Sequence, residues 1–507
     1  MIGAWIKLVI APRAIGHAGI GIGIAQLDHK FPLMARLLGG ANLSVWLVIR
    51  AWTVYNGRYP PGHPSIASTH GPGWRSGKTA RGGQLNQADN KRSGVMTGQL
   101  RALTGILLSI LLFVMGAGLM TTLIPVRGHL AGFGDVAIGV IGSAYYAGFV
   151  LGCFGGPPLL TRIGHIRSFA IAGGAAAATI LLQSIDVGQL VWIFARFVFG
   201  LSSAGIYMVT ESWLNDRASN DTRGRILAIY LTVNYGGIVI GQWFYTVAPP
   251  LSFVLFNIAA IFCVLCVVPV GATRLAQPVP SGVPAIRPWR LFRIAPVGVA
   301  GCIAVGAANG AVWTLAPVYA NVHGLHGVML AAFMSAFTAA GALSQAPVGR
   351  LSDHMDRRWT ILVMSLLAGL SAAALAFWGG GAPLVAIALF ALFGAAALPI
   401  YGLSVAHTND RIPREDFVSA SATLLLVNAL ASVVGPVLAA EITTHTSLAA
   451  LFWFVAAIHG LHVAFVIWRV QRAERPPEVF RERYAPVLPQ ATPTALELDP
   501  RGPQGPA

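Results

Sequence analysis

Between Leu103 and Trp468 the chain alternates long apolar runs with short polar breaks, and each run is near the ~20 residues that carry a helix across a bilayer. Lipid offers the backbone no hydrogen-bond partner, so such runs must pair their own amides and can only be helices. Twelve are legible, at about 103–125, 136–158, 169–185, 190–210, 226–248, 251–270, 294–318, 328–348, 361–378, 384–406, 418–439 and 448–468. The expected fold class is an all-α membrane protein of twelve transmembrane helices. Composition excludes the soluble classes: 55% of the 507 residues are hydrophobic and 10% charged, too little polar surface to keep a globule in water.

Arginine sets the orientation. Of the 23 arginines after residue 95, Arg127 falls in an outer loop and Arg196 in a span, and the other 21 occupy even-numbered loops and the two ends. Basic residues stay on the cytoplasmic side, so both termini are expected in the cytoplasm of a multi-pass protein of a bacterial inner (plasma) membrane. The net charge of +16 is explained by this placement. No basic stripe with interleaved aromatics is present, and no nucleic-acid partner is expected.

Residues 1–95 are different in kind. They hold all four lysines, a Gly/Pro/His-rich portion from Tyr59 to Gly83, and no run long enough to span. They read as a disordered extension, or as an upstream stretch translated from a misassigned start with Met96 as the working start. The domains expected after them are a six-helix bundle over 96–270, a Pro- and Arg-rich cytoplasmic linker over 271–293, a second bundle over 294–468 and a disordered cytoplasmic tail over 469–507.

Sliding one half over the other exposes an internal repeat. At a shift of 194 residues Ile206-Tyr207 meets Ile400-Tyr401, Asn215-Asp216-Arg217 meets Asn409-Asp410-Arg411, Val233-Asn234 meets Val427-Asn428, and Gly241 meets Gly435. Between spans eight and nine, Gly349 to Arg358 holds two acids and three arginines in ten residues, with Gly349, Leu351, Asp353, Arg357 and Arg358 spaced as Gly-x-Leu-x-Asp-x-x-x-Arg-Arg. Its first-half counterpart, Pro157 to His165, keeps Leu159 and Arg162 but has Thr161 where the acid belongs.

Twelve spans in two parallel halves joined to this loop motif resemble the major facilitator superfamily (MFS), and Glu211-Ser212-Trp213, Arg223-Gly224-Arg225 and Gly241-Gln242 are similar to its YcaD-like branch. The resemblance covers about residues 100 to 470 and implies two pseudo-symmetric six-helix bundles. By the family's two-fold arrangement, Asp353 should face the start of span five near Gly224 and Arg225, and Thr161 the start of span eleven. An aspartate there can accept from helix N-terminal amides, worth about 0.3–1 kcal/mol when exposed. A lopsided latch is expected, built on Gly349, Asp353, Arg357, Arg358, Thr161, Arg162 and Arg225; the bland reading is that the arginines only set topology.

Two ionisable residues stand out. Arg196, inside span four, costs about 2.5–3.5 kcal/mol to insert unless wetted or paired, which suggests a role in the cavity or in proton coupling against a structural arginine bonded to carbonyls. Glu211 lies fifteen residues later, about 22 Å along the helix; it is either an embedded proton carrier or an interfacial acid meeting Arg217 or Arg225. Polar residues that should face a central substrate cavity are Tyr145, Tyr146, Tyr207, Asn234, Gln242, Asn309, Trp313, Gln345, Tyr401 and Asn428. His459 and His462 share a face but are too few for a metal site. The CxxC pair Cys263 and Cys266 reads as packing, and no metal is expected. Nor is a cofactor, since no Walker-type Gly-x-x-x-x-Gly-Lys-Ser/Thr loop is present to bind ATP. Span five has Gly237 and Gly241 but lacks the proline of the drug-antiporter signature, whereas Gly435-Pro436 occurs on span eleven.

The expected function is secondary active, proton-coupled transport of a small molecule by alternating access, in a monomer, and not an enzymatic one. The alternatives are a membrane-embedded lipid-modifying enzyme, for which His407, Asp410, Glu415 and Asp416 are the nearest constellation, and a non-transporting sensor.

Overall fold

The computed structural model describes residues 80–219, 222–273, 277–278, 285–472, 484–488 and 491–498, with side chains over 103–495 of these. Expectations for residues 1–79 lie outside the described residues. Among the described residues, twelve helices are long and apolar enough to cross a membrane. They are α1 (Ala80–Leu130), α2 (Asp135–Ile163), α3 (His165–Ile185), α4 (Gln189–Arg217), α5 (Arg223–Phe244), α6 (Val254–Leu265, continued by Val267–Gly271), α7 (Pro296–Val322), α8 (Val328–His354), α9 (Arg357–Trp378), α10 (Pro383–Asn409), α11 (Phe417–His445) and α12 (Ala450–Arg472). Each corresponds to one apolar run of the sequence, and among the described residues no strand occurs.

The breaks are local chemistry. Pro296 and Pro383 open α7 and α10 at the first turn, where a missing N–H costs nothing. Asp356 caps α9 by accepting from the Arg358 amide, and Gly379 ends it in the left-handed region at φ 59°. Gly164, at φ 82°, lets α2 turn into α3 across a single residue.

The helices form two bundles with matching pairings. In the first half α1 packs on α5, α2 on α4 and α3 on α4 and α6; in the second, α7 packs on α11, α8 on α10 and α9 on α10 and α12. The repeat read in the sequence is thus a repeat of contacts. Gly241 of α5 lies where a Cβ would meet the Met115 carbonyl of α1, and Gly435 of α11 lies where one would meet the Ala307 carbonyl of α7. Close backbone approach at small residues is what fixes helices in lipid. The apolar part of α7 is 78% buried, against 39% for α6 and for α12, so α7 is central and the other two are peripheral.

Two sequence expectations need correction. The extension expected to be disordered up to residue 95 is helical from Ala80, as a continuation of the helix that the first span nucleates, in spite of a glycine-rich sequence of low helix propensity. The tail expected to be disordered over 469–507 begins inside α12, and within it 484–488 and 491–498 are packed: Val487, Leu488, Ala491, Thr492 and Ala495 are buried. Their apolar side chains find a groove between the halves.

Replacing Gly241 or Gly435 by Leu should each lower the thermal unfolding midpoint in detergent, by the equivalent of about 1–3 kcal/mol of overpacking. An unchanged midpoint in both variants would contradict the close crossings.

Candidate functional site

Four of the ten expected cavity residues come together, with Arg196. Tyr145 and Tyr146 of α2, Arg196 and Tyr207 of α4 and Trp313 of α7 line one cavity at the centre, with Phe113 and Phe199 beside them. Its water-accessible volume is about 60 Å³, room for a few water molecules. Arg196 is 8% exposed; its guanidinium lies 4.9 Å from the Tyr145 ring centre and 5.3 Å from that of Phe199. Among the described residues it has no carboxylate partner, and its Nε makes no hydrogen bond. A desolvated cation held by aromatic faces and lining a cavity is suited to attract an anionic or electron-rich group.

The other candidates are buried but dispersed. Gln242 of α5 bonds Thr338 of α8 across the halves at 3.3 Å. Gln345 of α8 reaches the Tyr235 hydroxyl at 3.5 Å, also across the halves. Asn234 donates to its own helix at Tyr230, and the side-chain oxygens of Asn234 and Asn428 are both left unbonded, so the repeat keeps even this detail. The Asn309 amide and the Tyr401 hydroxyl have no partner among the described residues. None of these six lines the central cavity.

The two ends of the molecule differ. At the end away from the 349–358 hinge, the halves touch backbone to backbone: a Cβ on Gly139 of α2 would meet Ala440 and the Pro436 carbonyl of α11, and one on Gly142 would meet Thr314 of α7. At the hinge end the tail residues 484–488 and 491–498 lie between the halves.

The hinge's charges face inward upon their own half. Arg357 is 2% exposed and its Nε donates to Asp410 at 2.7 Å; its Nη1 donates to Ser352 at 2.9 Å and pairs with Asp353 at 3.1 Å. Arg358 makes a buried pair with Asp356 at 2.8 Å. Burial pushes the Asp356 carboxyl up, but hydrogen bonds from the Arg358 side chain and backbone outweigh it and hold the group below its ordinary value. Arg411 shares the cluster, its Nη1 donating to His407 Nδ1 at 3.0 Å; burial and neighbouring Arg358 lower its guanidinium to about 10. α8, α9 and α10 are thus tied together by charge.

The latch therefore is not engaged across the halves in this conformation. Asp353 accepts from the Tyr484 amide at 2.8 Å and pairs with Arg357, instead of facing α5, and a Cβ on Gly224 would meet open space. Thr161 is exposed and bonds the Pro158 carbonyl of its own helix at 2.8 Å; Arg162 is exposed beside it. The physical reason is separation: at this end the tail stands between the halves. At the Arg357 position the first half has His165, whose Nε2 bonds Ser212 at 2.9 Å, a neutral counterpart joining α3 to α4.

Glu211 is fully buried and meets neither Arg217 nor Arg225. It accepts from the Tyr230 hydroxyl at 2.9 Å and from the Thr492 amide at 3.0 Å, and the Thr492 hydroxyl donates to it as well. The constellation weighed for an enzyme is taken up structurally: Asp410 holds Arg357, His407 meets Arg411, and Asp416 pairs with Arg290. Among the described residues no group of three or more metal-ligating side chains gathers, and His462 bonds Ser365 at 2.9 Å. The residues missed were Asp356, Asp410 and the tail contacts of Tyr484 and Thr492. The repeat flagged Asp410 through Asn409-Asp410-Arg411; nothing in the pattern of residues 469–507 marked the tail.

Asp410→Ala leaves Arg357 short of its closest carboxylate in a buried site, a loss of about 3–5 kcal/mol. A lower unfolding midpoint in detergent is expected, and an unchanged one would contradict the network.

The profile of the Major Facilitator Superfamily matches residues 106–415 and 330–498. An uncharacterised MFS-type transporter of Enterobacter sp. (strain 638) is 28% identical over 71% of this chain and 94% of its own length. The uncharacterised MFS-type transporter YcaD of Escherichia fergusonii is 29% identical over 73% and 96%. Among solved structures, the nucleoside transporter NupG superposes with a TM-score of 0.61 at 13% identity, covering 73% of this chain and 100% of that one. A bacterial homologue of the human lysosomal transporter Spinster superposes with 0.61 at 15%, covering 75% and 97%. At such identities the likeness is one of fold. Twelve spans, paired bundles, the charged hinge and the matched profile give one conclusion: the chain belongs to the Major Facilitator Superfamily of membrane transporters.

Proposed function

We propose that this protein is a secondary active transporter that moves a small molecule across the bacterial inner membrane by alternating access, driven by a proton gradient, with both termini in the cytoplasm. The observation that carries the reading is the unequal contact between the halves: backbone packing of α2 against α11 at one end, and halves parted around a bridging segment at the other. Two bundles whose backbones pack closely at one end and part at the other are suited to rock about the centre, where Arg196 and its aromatic neighbours form the substrate cavity. A solute with an anionic or electron-rich group and a flat apolar body fits that lining. By the arginine asymmetry, the parted end is the cytoplasmic one.

Glu211 is the proton carrier in this reading, as an acid buried at the parted end with hydroxyl and amide donors. Asp353 is the gate residue: once the cytoplasmic end closes, its carboxylate is placed to exchange the Tyr484 amide for donors at the start of α5 near Arg225.

A panel of labelled solutes (nucleosides, sugars, amino acids and aromatic carboxylates) offered to proteoliposomes with and without an imposed pH gradient should identify a solute whose uptake the gradient accelerates. Movement of none under any gradient contradicts transport. Glu211→Gln should abolish acceleration by the gradient while solute exchange without one persists; retention of full acceleration removes Glu211 from the proton path. Asp353→Asn should slow uptake with unchanged membrane insertion, and normal uptake would argue against the gate.

A further inference from the structure

The vestibule between the halves at the hinge end is built around a segment of the chain itself. On the second half, the Tyr484 amide donates to Asp353 at 2.8 Å and its hydroxyl to Gln345 at 2.6 Å; its ring lies where a Cβ on Gly349 or Gly402 would have to go. On the first half, the Thr492 backbone amide and hydroxyl both donate to Glu211, and the Asn215 side-chain Nδ2 donates to the Thr494 carbonyl. Leu488, Ala491 and Ala495 are 5%, 1% and 7% exposed and, with Val487, line a groove with Leu227 and Tyr230 of α5.

This is recognition of an extended peptide by two chemistries. Backbone N–H groups that no strand or helix satisfies would be costly to bury, and two of them meet the carboxylates of Asp353 and Glu211. Small apolar side chains fill the groove between those anchors. The segment touches both halves and is compatible with their parted arrangement.

We propose that the tail residues 484–488 and 491–498 are an intramolecular ligand of the vestibule, an autoinhibitory plug that must leave before a solute enters or the hinge end closes. Docking of the segment is independent of the transported solute; only its inhibitory consequence rests on the transport reading above. Withdrawal uncovers Glu211, leaving it with Tyr230 as its remaining hydrogen-bond donor among the described residues, and releases Asp353 from the Tyr484 amide while its pair with Arg357 remains.

The test uses the full-length protein in nanodiscs and a water-soluble maleimide as the probe of vestibule access, with modification read by mass spectrometry on the peptide bearing position 227. In a Leu227→Cys protein with its own tail, modification should be slow. Adding Leu488→Asp, which puts a charge into the apolar groove, should speed it about tenfold, as expected if the docked form outweighs the free form by that factor. A second variant, Leu227→Cys with Ala491→Cys, should form a disulfide under mild oxidation. Equal modification rates with and without Leu488→Asp, or no disulfide in the second variant, would overturn the plug. Because neither measurement involves flux, a failure here leaves the transport reading standing, and a failure of the solute panel leaves these outcomes unchanged.

Discussion

Helices in lipid gain little from burying apolar side chains against one another, since the lipid tails are equally apolar, so arrangement depends on how closely backbones can approach. The glycines of this chain mark where that happens. Gly200 brings α4 onto the Tyr145 carbonyl of α2, and its repeat partner Gly394 brings α10 onto the Phe337 carbonyl of α8. Each half is rigid because its small residues allow crossings that larger ones would prevent. Between the halves the same device is used once, at Gly139 and Gly142, which makes that contact the fulcrum on which the two bundles are set.

Charge is used differently in the two halves. The second half buries arginines only with carboxylates at hand, in the Arg357–Asp410 and Arg358–Asp356 pairs. Removing one partner from such a pair is costly, whereas the intact pair adds little net stability; its effect is to fix the junction of α8, α9 and α10. The first half buries an arginine with no carboxylate, Arg196, and an acid with no cation, Glu211. Placed about 22 Å apart on one helix, they stand at the central cavity and at the parted end, too far apart to pair with each other. The structural arginines of the second half are paired; the two ionisable groups assigned to the cavity and the proton path are not.

Much of this was legible in the sequence because the bilayer enforces a simple code. Twelve runs near the required length became twelve helices, and the repeat at Asn234 and Asn428 reappears as equal burial and equal unbonded oxygens. The convergence of Tyr145, Tyr146, Tyr207, Trp313 and Arg196 on one cavity was partly legible, since an ionisable group in a span seeks a polar interior. The partners of Asp353 were not. Which end of a rocking molecule is closed is a small difference between two packings of one sequence, and motif spacing is the same in both. Nor was the tail: its short run of Val487, Leu488, Ala491 and Ala495 is too brief to span and has no periodicity, and only the groove between the halves makes it ordered.

The central claim is that two rigid bundles rock about a contact that is closed at one end while the other is open. Spin labels placed in pairs across the halves test it most directly, one pair at the hinge end on Arg162→Cys and Arg350→Cys, the other at the far end on Asp186→Cys and His326→Cys, all four positions being exposed. Distances measured by double electron–electron resonance in nanodiscs, with and without transported solute and over a range of pH, should show two populations in which the hinge-end distance shortens as the far-end distance lengthens. A single distribution at each end, unmoved by solute or pH, would contradict the claim.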